Sequence, residues 1–318
     1  MPPRSPLPQR HGLDAAWVRT PGANQHGELP WATMREFLMD RLPARAHVAD
    51  MLEAGEFVDQ AGRPWSESEA YRPHAFVWFH RRLAPETPVP FPIEVLAANE
   101  RLVAVDKPHF LATTPRGAHV METALVKMRV ALDLPQLAPA HRLDRLTAGV
   151  LVFTTRREYR GAYAGVFQSG GAHKTYDAVA AFDPDLEFPQ RISNRIEKHR
   201  GSLQAQIVDG QPNASTLVEL VEVRGRFARY RLTPATGKTH QLRLHMASLG
   251  LPIVGDSLYP SVVDVAPDDF GAPLQLVARS LRFVDPIDQA VREFTSKFEL
   301  EWPGVHGGPS TDAAPGDP

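Results

Sequence analysis

The sequence predicts an α+β protein, with a large domain built on a mixed, largely antiparallel sheet and a small α+β domain ahead of it. Three observations lead to this prediction. Segments with the pattern of strands outnumber segments with helical spacing, several predicted strands follow one another without a helix between them, and no internal repeat is present. Hydrophobic residues make up 43% of the 318 residues and charged residues 23%, so there is ample apolar material for a sizeable core.

Both ends of the chain are predicted to be disordered. Residues 1–27 contain recurrent prolines among polar residues, and residues 303–318 are rich in glycine, proline, alanine and aspartate. Neither stretch shows hydrophobic periodicity, so neither is expected to bury enough apolar surface to hold a fixed conformation. A third proline-rich stretch, 85–92, is predicted to be a linker between the two domains.

Residues 28–86 are predicted to form the small domain. Thr33 is placed to cap a helix whose apolar residues follow at helical spacing, and a second helix is predicted over 46–54. Short strands are predicted over 57–59 and 75–78. This order of elements resembles the αL-type RNA-binding domain that is found in a small-subunit ribosomal protein.

The resemblance of the small domain is degenerate. Domains of this type usually present a basic helix face, which here would consist of only four side chains: Arg35, Arg41, Arg45 and His47. A packing domain without an RNA-binding role is therefore the alternative interpretation of residues 28–86.

The large domain is predicted to extend over 91–302. Strands are predicted where apolar and polar residues alternate or where short apolar runs occur: 93–97, 102–105, 149–154, 174–182, 216–223, 227–233, 274–283 and 294–300. Helices are predicted where apolar residues recur every three or four positions: 121–132, 158–167 and 240–249. The strands 216–223 and 227–233 are expected to form a hairpin through Arg224-Gly225-Arg226.

The segment from His141 to Gly149, HRLDRLTAG, carries most of the candidate chemistry. It places the carboxylate of Asp144 among basic side chains, directly before the apolar strand 149–154. A carboxylate surrounded by cations at the mouth of a strand suits covalent or acid–base chemistry. The motif by itself is equally compatible with a polar turn in which Asp144 forms a structural ion pair with an arginine.

A second candidate segment is 236–245. Its Gly-Lys-Thr triplet is not a phosphate-binding loop, because that motif requires a glycine where Leu232 stands. The turn instead opens a helix that presents Lys238, His240 and Arg243 from its first turns, which suits binding of a carboxylate or a phosphate. The two histidines of the segment do not share a helix face, so no metal site is expected.

Composition excludes several other kinds of site. The chain has no cysteine, which rules out disulfides, thiolate metal sites and cysteine nucleophiles. No apolar run approaches the roughly 18 residues that a membrane-spanning helix needs, and the first residues lack a signal-peptide core. A cytoplasmic protein without a membrane partner is therefore expected. The net charge of −2 is unlike that of strongly basic RNA-binding domains, although local arginine clusters can still bind phosphates.

Taken together, the motifs of the large domain resemble the pseudouridine synthases that modify uridines in ribosomal and transfer RNA. The family's signature, HRLDxxTSGLL, stands here as HRLDRLTAGVL from His141 onward. The other matching segments, in the family's order, are Asp106-Lys107-Pro108, Lys174-Thr175-Tyr176, Gly237-Lys238-Thr239-His240-Gln241-Leu242-Arg243, and Pro252-Ile253-Val254-Gly255-Asp256 with Tyr259. The resemblance spans about 91–302 and implies the pseudouridine synthase fold.

The resemblance also implies the reaction and the residues that perform it. Such enzymes break the bond between uracil N1 and the ribose, rotate the base and rejoin it through C5. The family's essential aspartate corresponds to Asp144, which would attack C1′ or remove a proton from C2′, and the sequence leaves both routes open. The family's tyrosine corresponds to Tyr176, which would stack on the uracil and assist proton removal at C5. Its arginine corresponds to Arg243, and an arginine beside Asp144 would hold that carboxylate ionised.

An enzyme of this family must extrude its target base from stacked RNA. A side chain beside Asp144 would fill the vacated space, and His141 and Arg142 are both placed to do so. Contacts to RNA are also expected from the other basic residues of the matching segments: Lys107, Arg145, Lys174, Lys238 and His240. RNA is the expected partner, neither a metal nor a small-molecule cofactor is expected, and the chain is expected to be a monomer.

Some features depart from the family pattern or leave the function open. Ala148 stands where the family usually has serine, a small apolar change that leaves the aspartate intact. The connection 182–216 is long and polar and includes several basic residues, and would be either an RNA-contacting insertion or a solvated loop. Two alternative functions remain: a non-catalytic RNA-binding module that uses the same cleft, and a hydrolase that pairs Asp144 with Glu122 or Asp256.

Overall fold

The computed structural model describes residues 3–303, and the chain packs as two compact units. Unit 1 comprises the residues through Glu86 together with Pro115–Met121 and Val126–Pro135, and unit 2 comprises Thr87–Thr114, Glu122–Leu125 and the residues from Gln136 onward. The division predicted from the sequence assigns the two short segments of unit 1 to the larger domain instead. Their packing places them in unit 1.

Unit 1 combines a two-stranded antiparallel sheet with short helices. Its elements before residue 87 are β1 (Ala16–Arg19), α1 (Met34–Arg41), a 3₁₀ turn (Ala44–Ala46), α2 (Val48–Glu53) and β2 (Phe76–Phe79). The Thr33 hydroxyl accepts a hydrogen bond from the Glu36 amide, which confirms Thr33 as the N-cap of α1. Apolar residues of both helices and of one face of the sheet form the core of the unit, with Phe37 and Met51 almost fully buried in it.

Two predictions for unit 1 are wrong. The predicted disordered tail, 1–27, contains β1, because Ala16 and Val18 alternate with outward residues and pack on the core of the unit. The segment 57–59, predicted as a strand, forms only isolated bridges, from Val58 to Pro64 and to Trp78. The chain turns back at 59–62 before a ladder can extend.

Unit 2 is built on one large mixed sheet. Its strands, in chain order, are β3 (Glu94–Ala98), β4 (Leu102–Lys107), β5 (Ala138–Pro139), β6 (Ala148–Thr154), β7 (Ala172–Ala181), β8 (Gln190–Glu197), β9 (Gln206–Val208), β10 (Ala214–Arg224), β11 (Phe227–Pro234), β12 (Leu276–Val284) and β13 (Val291–Thr295). The remaining helices are α3 (Ala124–Ala131), which contributes residues to both units, α4 (Arg160–Gln168), which follows a 3₁₀ turn (Arg157–Tyr159), and α5 (Gln241–Ser248).

The sheet of unit 2 has eleven strands in the order β3-β4-β6-β12-β7-β11-β10-β8-β9, with β5 beside β6 and β13 beside β12. Its neighbouring strands run antiparallel except for β6 and β12, which run parallel through the pairs Ala148–Val277 and Gly149–Ala278. The predicted α+β class with a mixed, largely antiparallel sheet is therefore confirmed.

Two neighbouring interior strands of this sheet, β4 and β6, are buried along their whole length. Every residue of β4 and of β6 is buried, as their continuous apolar sequences require. Because both strands are fixed by packing on both faces, the loops that leave β4 and enter β6 start from rigid positions. Those two loops build the candidate site.

Most predicted elements of unit 2 are present within a few residues of their predicted bounds. The hairpin of β10 and β11 is confirmed, with its turn at Gly225 and Arg226. The strand predicted over 294–300 begins and ends earlier, as β13, because the chain leaves the sheet at Ser296 to bind Asp106. The connection 182–216 contains two strands that were not predicted, β8 and β9, and it joins the sheet through the pairing of β8 with β10.

The helices of the described residues are short. The longest, α4, has 9 residues, and none within 3–303 combines the length and the apolar character that crossing a membrane requires. Residues 304–318, on which most of the predicted C-terminal tail falls, lie outside the described residues.

Candidate active site

The loop that carries Asp144 ends in a tight contact between β6 and β12. Gly149 has a φ of +112°, and a Cβ at this position would lie 2.4 Å from the carbonyl oxygen of Ala278. Only glycine permits both that conformation and that approach. Ala148 is fully buried in an apolar cluster with Val277, so the alanine that replaces the family's serine serves as a packing residue.

Side chains from the segment after β4 hold the Asp144 loop by its backbone. The hydroxyl of Thr113 donates to the Leu143 carbonyl (2.7 Å) and accepts from the Leu143 amide (3.1 Å). On the other side of Asp144, the Nδ1 of His109 donates to the Leu146 carbonyl (2.7 Å). Burial lowers the pKa of His109 to about 4, so this ring is neutral near pH 7. The carboxylate is thus mounted on a loop that is fixed on both sides.

Lys107 is a third support of this loop. Its buried ammonium group donates to the carbonyl oxygens of Pro108 (2.8 Å) and Leu111 (2.7 Å) and lies 3.5 Å from that of Arg145. Burial lowers the pKa of Lys107 to about 7, and the charge of Asp144 opposes this shift. The predicted contact between Lys107 and RNA is wrong, because the side chain is fully buried. The lysine instead places positive charge near Asp144.

Asp144 lines a cavity of 1220 Å³, enclosed by the loop before β6, by β7 and by the segment that leads into α5. Among the described residues that line it, Asp144 is the only acid, whereas Arg142, Lys174, Arg191 and Lys238 contribute positive charge. None of these four cations has an ion-pair partner within residues 3–303. Small-molecule sites typically enclose about 300–1,000 Å³, so this cavity has room for a nucleotide and part of its neighbours.

Tyr176 shares this cavity with Asp144. It lies on β7 between Leu232 of β11 and Ala278 of β12, so paired strands on both sides fix its backbone. Burial, reinforced by the charge of Asp144, raises the pKa of the Tyr176 phenol above its ordinary value. The phenol is therefore protonated near pH 7, which suits ring stacking and hydrogen-bond donation.

The sequence predicts that Arg243 lies beside Asp144. In the structure Arg243 pairs with Asp256 instead. Its Nε lies 2.7 Å from one carboxylate oxygen and its Nη2 lies 2.5 Å from the other. The two side chains are only 3% and 1% exposed. The carboxylate of Asp256 also accepts from the amides of Leu258 (2.8 Å) and Tyr259 (3.0 Å). No ion pair to Asp144 is present among residues 3–303.

Asp256 reaches Arg243 because the chain bends sharply just before it. Gly255 has a φ of +76°, and a Cβ there would lie 2.4 Å from the carbonyl oxygen of Pro273. Since Asp256 is engaged by Arg243, it is not a free acid. Glu122 does not line the cavity either and accepts a backbone hydrogen bond elsewhere in unit 2. The hydrolase alternative therefore has no second acid among the described residues that line this cavity.

A chain of hydrogen bonds fixes α5, the helix that carries Arg243. The Nε2 of Gln241 donates to the Thr216 hydroxyl (2.9 Å), which lies 2.8 Å from the Nδ1 of His245. The other ring nitrogen of His245 donates to the Oδ1 of Asn194 (3.0 Å). Burial lowers the pKa of His245 to about 4, so the ring carries one proton near pH 7. The single proton fixes which group donates and which accepts in each of these hydrogen bonds. The bonds join α5 to β10 and β8.

Of the two residues predicted to fill the space left by an extruded base, Arg142 is the exposed one. Both residues line the cavity, but His141 accepts the Val152 amide on its Nε2 (3.2 Å), and its ring stacks on Phe167 with centroids 4.6 Å apart. Burial lowers the pKa of His141 to about 3, so it carries no charge for a phosphate near pH 7. His141 is thus a packing residue of the loop.

The other basic residues predicted to contact RNA differ in their access. Lys238 is exposed at the cavity, and Lys174 and His240 lie half-buried in its wall. Arg145 is also half-buried but does not line the cavity. Burial lowers the pKa of Lys174 and of His240, and for His240 the charge of Asp144 opposes the shift. The contacts of these four residues with RNA stay predictions.

Several residues of the site cannot be recognised from the sequence. The partners of Thr113 and His109 are backbone carbonyl groups 30 and 37 positions away, which no side-chain motif indicates. Arg191 could be noticed only as one basic residue of a polar connection. The role of Asp256 could have been inferred from its place after a motif glycine, a signal of a turn that delivers a side chain.

Comparisons with known proteins agree with the motifs. The sequence model of a family described as RNA pseudouridylate synthase matches residues 101–248. The tRNA pseudouridine synthase C of Vibrio cholerae is 31% identical over 231 residues, 67% of this chain and 94% of that protein. The dual-specificity RNA pseudouridine synthase RluA of the same organism is 32% identical over 209 residues, 61% of this chain and 78% of that protein. The solved structure of human RNA pseudouridylate synthase domain containing 1 resembles this fold, with a TM-score of 0.52 at 23% identity over 67% of this chain and 86% of that one.

Proposed function

The chain belongs to the RNA pseudouridylate synthase family of isomerases, which convert uridine to pseudouridine, and we propose that it acts on uridines of transfer or ribosomal RNA through Asp144. One observation carries the assignment to this site. Asp144 is the only acid among the described residues that line the cavity, and four cations without ion-pair partners within residues 3–303 line the same cavity. The names of the relatives, which include a tRNA and a dual-specificity RNA enzyme, supply the substrate class.

Asp144 suits the role of essential carboxylate because its loop is held rigidly and its charge is free. Thr113, His109 and Lys107 fix the backbone on both sides of it. No cation is paired with its oxygens within residues 3–303, so the oxygens remain available to a substrate. The carboxylate would attack C1′ of the ribose or remove a proton from C2′, and either step breaks the bond to uracil N1.

Tyr176 would hold the detached base while it rotates. The flat ring stands in the same cavity as Asp144, and its backbone is fixed between two strands. The raised pKa of the phenol disfavours the phenolate, so a stacking role with hydrogen-bond donation is better supported than proton removal at C5. The uracil would then rejoin the ribose through C5.

RNA would reach this cavity only after its target base leaves the helical stack, at a cost of a few kcal/mol. Arg142 is exposed beside Asp144 and is the side chain placed to occupy the space that the base vacates. Lys174, Arg191 and Lys238 would contact the flanking phosphates. The positive lining explains how a chain with a net charge of −2 can bind RNA at one place.

The direct test compares the wild-type chain with Asp144→Asn on unmodified transcripts of transfer and ribosomal RNA. Pseudouridine formation is measured by mass spectrometry, and RNA affinity by a filter-binding assay. We expect Asp144→Asn to lose activity by at least roughly 10²–10⁴-fold while it still binds RNA. Asp209→Asn, at an exposed aspartate of the same unit, should behave as wild type.

The outcome also separates the proposed function from its alternative. A wild-type chain that binds these RNAs and forms no pseudouridine would be the non-catalytic RNA-binding module. Equal activity of Asp144→Asn and wild type would refute the role of the carboxylate. Mapping of pseudouridine in total RNA from cells with and without the gene would then identify the modified position.

A further inference from the structure

The outward side of the β1–β2 sheet in unit 1 is aromatic where polar residues are expected. One side of this sheet packs on the core of the unit through Ala16, Val18, Val77 and Phe79. The opposite side carries Trp17, Arg19, Phe76 and Trp78, because side chains alternate along each strand. An antiparallel sheet with one side on a core normally presents polar residues on the other. Three aromatic rings on that side therefore call for an explanation.

The rings form one cluster, and its outer member is open. The centroid of Trp17 lies 5.4 Å from that of Phe76 and 6.4 Å from that of Trp78, while Phe76 and Trp78 stack 6.3 Å apart at 23°. Trp78 is buried against Val58, with Leu7 packed on the same group. Trp17 keeps 43% of its surface exposed. The buried Trp78 and the partly buried Phe76 thus hold an exposed indole in a fixed position.

Positive charge flanks this cluster. The guanidinium carbon of Arg19 lies 5.8 Å from the Phe76 ring centroid, and Arg19 is exposed. His80, the residue after β2, has its pKa lowered by burial and then by the charge of Arg10. Neither Arg10 nor Arg19 has an ion-pair partner within the described part of the chain. An exposed indole beside a cation without an ion-pair partner complements one base and its adjacent phosphate.

We propose that this aromatic platform, formed by Trp17, Phe76, Trp78 and Arg19, binds single-stranded RNA. One base stacks on the exposed face of Trp17, and the adjacent phosphate contacts Arg19. The proposal rests on the proposed function, in which the substrate is RNA, and adds a second site of contact with that RNA. This site lies on the β1–β2 sheet, whereas αL-type domains usually present a basic helix face. Stacking accepts any base, so the platform adds affinity without choosing the uridine that is modified.

The test measures the binding of a fluorescein-labelled single-stranded RNA that contains no uridine to the full chain, by anisotropy at several salt concentrations. We expect Trp17→Ala to weaken binding roughly 5- to 100-fold, the effect of losing one stacked base, and Trp17→Phe to weaken it less. Arg19→Ala should reduce the slope of log affinity against log salt by about one. Met39→Ala, which removes another exposed apolar side chain (52%) on α1, is the matched control and should bind as wild type.

Arg19→Glu keeps the test decisive if Trp17→Ala does not fold, because Arg19 is exposed and its reversal leaves the core intact. Wild-type binding by Arg19→Glu and by every folded Trp17 variant would overturn the proposal. So would a change of sedimentation in Trp17→Ala with unchanged RNA binding, since a second copy of the chain would then be the occupant. On a substrate RNA the folded variants should raise KM and leave kcat unchanged. If wild type forms no pseudouridine while these variants still lose oligonucleotide binding, only the proposed function fails.

Discussion

Arg243, which lines the cavity that contains Asp144, forms a buried ion pair with Asp256 through two contacts of 2.7 and 2.5 Å. The charge of Arg243 is therefore largely balanced before any substrate arrives. A planar guanidinium group held by two such contacts has one orientation, so Arg243 presents its remaining N–H groups in a fixed direction. Its contribution to the site is position, and the partner that sets this position is Asp256.

Asp256→Asn should destabilise unit 2 strongly, because it leaves the guanidinium of Arg243 buried without its counter-charge. Removal of one member of a buried pair typically costs about 3–5 kcal/mol. The free energy of unfolding, from urea titration at pH 7, measures this loss. Glu293→Gln is the control, since it breaks the exposed Arg282–Glu293 pair and should leave the unfolding midpoint almost unchanged. Similar midpoints for the two variants would contradict the structural importance of the buried pair.

Thr113→Val should lower kcat clearly while the variant remains folded. The valine keeps the shape of threonine but loses both hydrogen bonds to the Leu143 backbone, so the Asp144 loop can shift, and small displacements of a reacting group can cost about 100-fold in rate. Single-turnover pseudouridine formation measures the effect. Thr20→Val removes the same kind of two-way backbone bond, to Ala75 in unit 1, and should leave kcat intact. Equal kcat values in both variants would show that the loop needs no such support.

Lys107→Met should change how stability depends on pH. The folded chain holds Lys107 with a pKa of about 7, whereas an unfolded lysine has a pKa of about 10.4. Between these values the unfolded chain binds one proton more than the folded chain, so the stability of wild type rises as pH increases. We expect a rise of roughly 1–3 kcal/mol between pH 7 and pH 9 that is absent in Lys107→Met. Urea titrations at both pH values measure this change in the free energy of unfolding, and Lys238→Met is the control at an exposed lysine. An equal change in wild type and in both variants would show that Lys107 is not buried.

Gly149→Ala should disrupt the junction of β6 and β12. The new Cβ would require a left-handed backbone and would lie 2.4 Å from the Ala278 carbonyl oxygen, a combination of strain and overpacking worth roughly 2–6 kcal/mol. Gly161→Ala, on α4 with open space at its Cβ, should instead be neutral or stabilising by up to about 1 kcal/mol. Thermal melting of the two variants should move in opposite directions or by very different amounts. A small shift for Gly149→Ala would mean that the two strands can separate.

Eight of the eleven strands of unit 2 could be predicted because their alternation and apolar runs are local signals, whereas β5, β8 and β9 were not predicted. β10 and β11 are an example, since the turn between them is written in the sequence as Arg224-Gly225-Arg226. The place of Asp144 followed in the same way from one motif. β1 was missed because four residues among prolines and polar residues carry too little signal until their partner, β2, is known.

The partners of charged residues were harder to predict than the residues themselves. The sequence places Lys107 and Arg243 near the site but does not say which groups they bind. Lys107 was expected to reach RNA and instead binds backbone carbonyl groups, which have no sequence signature. Arg243 had two acids within reach of its motif, and the choice of Asp256 over Asp144 depends on the bend at Gly255. Such pairings are decided by the fold as a whole.

The parallel pairing of β6 with β12 also sets when the molecule can begin to work. Gly149 and Ala278 are neighbours in the sheet but are separated by 278 − 149 = 129 positions in the chain. A ribosome that adds roughly 5–20 residues per second needs about 6–26 s to travel that distance. Throughout this interval the strand behind Asp144 has no partner on that side. We therefore expect the partly synthesised chain to be inactive, although it lies beside RNA of a kind that we propose as its substrate. Its activity should start only when synthesis of the domain is nearly complete.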